Sequence, residues 1–263
     1  MTLAARALDF GFRDRAVGRG VAIDVPAAQI ACLLGPNGSG KTTLLRTLLG
    51  LLPPLAGEVV LDDIAVGRWP ARERAARLAY VPQAADSYFD FSVAEMVEMG
   101  RMAHRGLFSH PGRADRAKAH DVLQRLGIAH LADRPIDRVS GGERQLALIA
   151  RALATEATHL LMDEPTANLD YGNQARVLDE IARLRGAGVA VLFSTHHPDQ
   201  ALRIADRALL LRSGSLMAAG PVDAVVNSEN LSALYGRPVE VVEVRSADGV
   251  TRRVCIPSGP LVG

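Results

Sequence analysis

Cysteine, lysine and aromatic side chains are all scarce in this chain. Two cysteines, Cys32 and Cys255, occur in 263 residues. Their separation fits no metal-ligand spacing. So distant a pair excludes a disulfide framework and reads as reduced thiols of the cytosol. Of the 30 basic residues, all but Lys41 and Lys118 are arginine. Net charge is +1 and no basic tract occurs, so no nucleic-acid partner is expected. No apolar run approaches the roughly 18 residues that span a bilayer. Residues 1–20 hold no apolar stretch of about 7–15 residues, so no secretory leader is expected. Any membrane role must therefore pass through a partner. No internal repeat or low-complexity segment stands out. What remains is 48% hydrophobic content, enough for one large domain or one domain with a small lobe.

One of the two lysines falls in Gly35-Pro36-Asn37-Gly38-Ser39-Gly40-Lys41-Thr42. This fits the phosphate-loop pattern G-x-x-x-x-G-K-[ST]. The apolar run Ile30–Leu34 before it reads as a buried strand, and Thr43 to Leu49 after it as a helix. Strand, glycine loop and helix start form the context the pattern needs. Glycines let the backbone curl so that N–H groups point at phosphate oxygens. The helix N-terminus adds partial positive charge. Lys41 supplies a compact ammonium rather than a planar fork, and the Thr42 hydroxyl can ligate Mg²⁺.

Taken in order, the chain begins with short apolar strands at Leu3–Phe10, Val21–Val25 and Ile30–Leu34, broken by Gly18, Gly20 and Pro26. Phe12 stands in the Arg- and Gly-rich loop after the first. Its ring is placed either to stack on a nucleobase or to close the strand end in the core. Glu58–Asp62 and Leu78–Val81 read as strands, with a short Arg-rich helix, Pro70–Arg77, between them. Gln83 stands where composition changes. From 84 to 139 strand runs are missing. Ser92-Val93-Ala94-Glu95 is a capping box opening a helix to Arg101, Met102–Gly112 reads as a loop, and Ala114–Leu126 is a second helix. This segment opens with Tyr88, Phe89 and Phe91, read either as satellite core or as a grip on a partner.

Ser140-Gly141-Gly142-Glu143 opens the next helix, to about Thr155, with a second capping box. The two glycines also bare backbone N–H groups at a helix N-terminus, which makes a second phosphate site. The apolar strand Leu160-Leu161-Met162 ends in Asp163 and Glu164. Asp163 can hold Mg²⁺ through water, and Glu164 can orient or deprotonate an attacking water. Asp170, in Asn168-Leu169-Asp170, N-caps a helix to Arg185. Strand Gly188–Ser194 runs into Thr195-His196-His197, and His196, directly continuing it, sits where parallel sheets bind ligands. Leu209–Leu216 reads as a hairpin turning at Ser213-Gly214. A short helix near Leu231–Leu234 and a hairpin around Asp248-Gly249 close the chain. Roughly 40 residues past Gly220 are too few for a regulatory domain.

GPNGSGKT, Gln83, SGGE, LLMDE, NLD and His196, in this order, resemble the nucleotide-binding subunit of ABC transporters over about residues 3 to 235. The resemblance implies an α/β fold: a P-loop, RecA-like core (1–83 and 140–220), an antiparallel β-subdomain, an inserted helical lobe (84–139) and a short extension with a hairpin (221–263). It implies ATP and Mg²⁺, and a head-to-tail homodimer with two ATPs between subunits. It puts Phe12 against adenine and Gly35, Asn37, Gly38, Ser39, Gly40, Lys41, Thr42 and Thr43 on phosphates and metal. Gln83 and Asp163 would serve Mg²⁺. Ser140, Gly141, Gly142 and Glu143 would cover the ATP of the opposite subunit, and Asp170 would cross the interface. Glu164 would be the catalytic base, with Lys41, Gln83 and His196 as its helpers at the γ-phosphate. Phe12 replaces the usual tyrosine and Val139 the usual leucine before SGGE.

Met99-Gly100-Arg101, Ile149–Ala154 and Tyr171-Gly172-Asn173-Gln174 further resemble importers of iron–siderophore, haem, cobalamin or molybdate. That implies a membrane permease gripped near Tyr88, Phe89 and Phe91, a substrate-binding protein beyond it, and a peripheral place on the cytoplasmic face of the cell membrane. A dimer also follows from the chain itself. A whole lobe separates the phosphate loop from SGGE, so two copies are the simpler way to cover one phosphate from both. The alternative is a soluble ABC ATPase outside transport, but the long coiled-coil insertions or tandem domains of those proteins are missing. A P-loop kinase or GTPase would leave SGGE and His196 without a purpose.

Overall fold

The computed structural model describes residues 1–83, 91–105, 111–247 and 249–259. Strands β1 (Thr2–Phe12), β2 (Arg15–Pro26), β4 (Ala56–Leu61) and β5 (Ile64–Ala65) form an antiparallel sheet of order β2-β1-β4-β5. The central six-stranded sheet has order β10-β9-β3-β8-β7-β6. Its strands are β3 (Ile30–Leu34), β6 (Leu78–Val81), β7 (His159–Asp163), β8 (Ala190–Thr195), β9 (Arg207–Arg212) and β10 (Ser215–Pro221). All neighbours are parallel except β10 on β9. A separate hairpin, β11 (Val239–Arg245) with β12 (Thr251–Pro257), ends the chain.

The helices are α1 (Lys41–Leu48), α2 (Ala71–Arg77), α3 (Val93–Glu98), α4 (Arg113–Arg125), α5 (Gly141–Ala154), α6 (Tyr171–Gly186), α7 (Pro198–Ile204), α8 (Val222–Val225) and α9 (Ser228–Tyr235). Strand β3 explains how they are layered. Its residues are all buried, because both sheet faces are covered, as parallel sheets require. Ile30, Cys32 and Leu34 face one apolar cluster, with α3 to α7 and the C-terminal extension. Ala31 and Leu33 face the other, where α1 lies between the central and antiparallel sheets. The strand's two-residue period thus divides one apolar run between two cores.

Both expected capping boxes form. Ser92 and Glu95 exchange bonds at 2.8 and 3.2 Å, and Ser140 and Glu143 at 2.8 and 3.3 Å. The first, Val93–Glu98, is shorter than the expected helix to Arg101. It passes into a 3₁₀ turn, Met99–His104, over residues that read from sequence as helix end and then loop. Packing explains the turn: a Cβ on Gly100 would lie 2.1 Å from the Arg151 carbonyl of α5, so only glycine permits this approach. Arg101, nearly buried, then reaches the end of α5, donating to the Ala154 carbonyl at 2.7 Å and pairing with Asp115 at 3.3 Å and Glu156 at 2.8 Å.

Strand β2 is longer than expected. Gly18, a breaker by sequence, lies within the strand, where a Cβ would meet the Gly214 carbonyl at 2.2 Å and the Phe10 ring at 2.3 Å. Phe12 is the last residue of β1, paired with Arg15 across a tight turn, rather than in the loop beyond it. At 52% exposure its ring is not core.

Candidate active site

The sheet register gathers the candidate residues. Leu34 pairs with Thr195, Ser194 with Asp163, and Met162 with Val81. The four parallel strands therefore end together. Each passes at once into a candidate: Gly35 after β3, Glu164 after β7, His196 after β8, and Gln83 two residues past β6. This is the carboxyl edge where open α/β sheets place ligands.

The glycine loop wraps the start of α1. Gly38 and Gly40 have φ of 78° and 101°, values that suit a residue without a Cβ. Gly35 faces tight packing instead, since a Cβ there would sit 2.3 Å from the Leu211 carbonyl. Gly40 N-caps α1 without a side-chain bond, which leaves the helix start to backbone N–H groups and dipole. Lys41 is buried. Its ammonium donates to the carbonyls of Gly35 at 2.8 Å and Pro36 at 3.2 Å.

Glu164 lies against this lysine. One carboxylate oxygen is 3.3 Å from Lys41 Nζ and the other 3.2 Å from His196 Nδ1. His196 Nδ1 makes no aligned hydrogen bond among the described residues, so its attraction to Glu164 is one of charge and dipole. Glu164 has φ of 46°, a left-handed conformation that costs a non-glycine residue about 1–3 kcal/mol and gathers at functional sites. Next to it, Ser194 Oγ donates to Asp163 Oδ1 at 2.7 Å and accepts from the Glu164 N–H at 3.0 Å. One hydroxyl thereby fixes both acids. Asp163 Oδ2 is buried and has no hydrogen-bond partner among the described residues, as has Ser39 Oγ. The Tyr80 phenol on β6 is pushed up, first by burial and then by the charge of Asp163.

A cleft of about 500 Å³ opens here, lined by Asn37, Gly38, Gly40, Lys41, Thr42, Thr43, Gln83 and Glu164, with Arg15 and Val17 from β2. Among the described residues no group of three His, Cys, Asp or Glu stands ready to hold a metal. The donors instead are one acid with an orphaned buried oxygen, a hydroxyl at Thr42 and an amide at Gln83. Such a set suits a hard cation that keeps waters and phosphate oxygens as further ligands.

Other candidates lie elsewhere. Ser140, Gly141, Gly142 and Glu143 open α5 and do not line this cleft; Ser140 and Gly141 are exposed. The Glu143 carboxyl is held below its ordinary range, chiefly by the Ser140 backbone N–H. Asp170 is exposed and caps α6, accepting from the Asn173 N–H at 2.8 Å. Phe12 is not among the lining residues, though its strand partner Arg15 is. Tyr88 and Phe89 lie outside the described residues. Phe91 lines a smaller cleft with Glu95, Met99 and Met102. Met99 and Met102 also line a roomier cleft, about 700 Å³, together with Ala71, Ala75, Ala79 and Arg72. That space is apolar and lacks the phosphate loop, so the chemistry belongs to the smaller one. Arg15, Val17 and Ser194 were missed in the sequence. Only Ser194 left a sign, as a hydroxyl near the end of an apolar strand.

A glycine loop bearing Lys41 and Thr42 beside strand-end acids defines a P-loop nucleoside triphosphatase. The model of the ABC transporter family matches residues 19–167. An uncharacterized ABC transporter ATP-binding protein of Haemophilus influenzae is 41% identical over 242 residues, 92% of each chain. A hemin import ATP-binding protein of Streptomyces coelicolor is 40% identical over 238 residues, 90% of this chain and 84% of that one. A solved ABC transporter in an inward-facing conformation, of proposed metal-chelate type, matches with a TM-score of 0.85 and 33% identity over 98% of both chains. The chain belongs to the ABC transporter family, as an ATP-binding subunit that hydrolyses ATP.

Proposed function

We propose that the chain powers a membrane importer of metal chelates, working as a head-to-tail homodimer on the cytoplasmic face of the cell membrane. The observation that carries the hydrolytic part is the carboxylate of Glu164 between Lys41 and His196 at the edge of the phosphate loop. Lys41 exchanges this carboxylate for β- and γ-phosphate oxygens when ATP enters. Glu164, freed of the ammonium, takes a proton from the attacking water. The water oxygen bonds to the γ-phosphorus as the bond to ADP breaks. His196 holds the γ-phosphate from β8, and Gln83 reads the same place from β6. Thr42, Asp163 and Gln83 would hold Mg²⁺, which neutralises phosphate charge when bound.

The exposed Ser140 and Gly141 and the half-buried Gly142 at the start of α5, with Glu143 bracing the cap and Asp170 just past Leu169, which packs beside Gly142, serve the ATP on the second copy. ATP thus joins two chains and its hydrolysis releases them. Phe12, exposed at a hairpin end beside the cleft-lining Arg15, offers its face to adenine. Among the described residues no helix is long and apolar enough to cross a membrane; in this reading the permease is a separate chain. Phe91 and the methionine-lined clefts beside it receive that chain, with a substrate-binding protein beyond.

The cargo class rests on the hemin import relative and the transporter of proposed metal-chelate type. Reconstitution with the cognate permease and binding protein in ATP-loaded vesicles tests it. Inward movement of haem or a ferric siderophore is expected; outward movement of a peptide or lipid, or no chelate uptake with turnover intact, contradicts it.

A further inference from the structure

The C-terminal extension has no place in the hydrolytic scheme above, yet it reaches the site. Tyr235, the last residue of α9, donates its hydroxyl to the His196 carbonyl at 2.9 Å. Cys255 of β12 donates its N–H to Asp199 Oδ1 at 2.8 Å, in the first turn of α7. The stretch from His196 to Asp199 is therefore held at both ends by the extension.

The extension is itself braced. Leu231 and Leu234 of α9 are buried in the main core. The backbone N–H groups of Val239 and Val241 each donate to a serine of α9, Ser232 and Ser228, at 2.9 Å. Arg253 pairs with Asp223 of α8 at 3.0 Å. Gly236, with φ of 67°, ends α9 immediately after the tyrosine. The Tyr235 phenol is pushed well above its ordinary value by burial, so it stays a donor.

His196 needs such support. Its ring is 37% exposed and Nδ1 lacks an aligned hydrogen bond among the described residues. Its ring neighbour, His197, lies tilted at a centroid distance of 4.0 Å. With so little holding the ring, its place above Glu164 follows from the backbone, and Tyr235 pins that backbone at its carbonyl.

We propose that Tyr235 is a positioning residue for His196, and that the C-terminal extension is thereby part of the hydrolytic site rather than an appendage. The proposal rests on the reading of His196 as the γ-phosphate contact. It places no new group on the substrate. It says that removing one hydroxyl on α9 shifts the imidazole enough to slow turnover.

Tyr235→Phe keeps the ring and deletes the bond. In the full chain, kcat for ATP is expected to fall about tenfold, since small misplacements of a reacting group carry costs of this order or larger. KM for ATP and the thermal midpoint should stay near wild type, whereas a merely structural loss would lower the thermal midpoint. Asp199→Ala, which frees the Cys255 end, should lower kcat in the same pattern and serves as the test if Tyr235→Phe fails to fold. His196→Ala separates the two levels of the account. If it abolishes turnover while Tyr235→Phe, or in its stead Asp199→Ala, keeps the wild-type kcat, the tether is wrong. If His196→Ala itself turns over normally, the reading of His196 fails and the tether with it.

Discussion

The ammonium of Lys41 stands 3.3 Å from the carboxylate of Glu164, with both side chains almost wholly buried. Two groups that would both face a γ-phosphate thus face each other. Each neutralises a charge that would be costly alone in a dry site. In the proposed scheme triphosphate binding breaks this contact, so the nucleotide competes with Glu164 for the lysine.

That competition gives the first expectation. Glu164→Gln keeps the shape and removes the charge, so ATP meets less resistance at Lys41. ATP affinity should equal or exceed wild type, while turnover drops at least about a hundredfold with loss of the proton acceptor. On a sizing column with ATP and Mg²⁺ the variant should elute as a dimer. A persistent monomer with nucleotide bound counts against the account.

Ser194 gives the second. Its hydroxyl joins Asp163 Oδ1 to the Glu164 N–H inside a fully buried strand. Ser194→Ala leaves both without that partner, and a buried polar group without one costs about 1–3 kcal/mol. Urea unfolding should show a loss of this size, and the Mg²⁺ concentration for half-maximal activity should rise as Asp163 loses its anchor. Unchanged stability and unchanged Mg²⁺ dependence would contradict the assigned role.

The third concerns pH. Burial lowers the titration of His159 to about 4, against about 6.5 for an ordinary histidine. Between these values the unfolded chain binds a proton that the native chain does not. Acid therefore favours unfolding there. Stability from this group is complete above about pH 6.5 and is lost as pH falls toward 4, by up to about 3 kcal/mol. The drop in urea midpoint from about pH 7 to about pH 4.5 should be smaller in His159→Leu than in wild type. Equal drops would show that the imidazole is not the linked group.

Much of this site was legible in the chain because its signals are local. A glycine loop needs its strand and helix immediately beside it, and Ser140-Gly141-Gly142-Glu143 and Asp170 cap helices within a few residues. The sheet edge was legible too, since Ile30–Leu34, Leu160–Met162 and Val189–Phe193 are apolar throughout, the mark of strands covered on both faces. What escaped depends on partners far away in sequence. Gly18 read as a break because nothing nearby shows that the Gly214 carbonyl will pack on it. Met99–His104 tightened into a 3₁₀ turn through contact with α5, invisible until the two meet. Ser194, Arg15 and Tyr235 act across strands or from the far end of the chain, where no spacing rule reaches.

The central claim is that each ATP is covered by the phosphate loop of one copy and the Ser140 turn of another. It is tested most directly by mixing two inactive variants, Lys41→Ala and Ser140→Arg, and measuring ATP turnover across their ratios. In a head-to-tail dimer one site then carries both lesions and the other carries none. The account predicts that turnover absent from either variant alone returns on mixing and is greatest near equal amounts. No turnover at any ratio, with both variants folded and the mixed dimer detected, would contradict it.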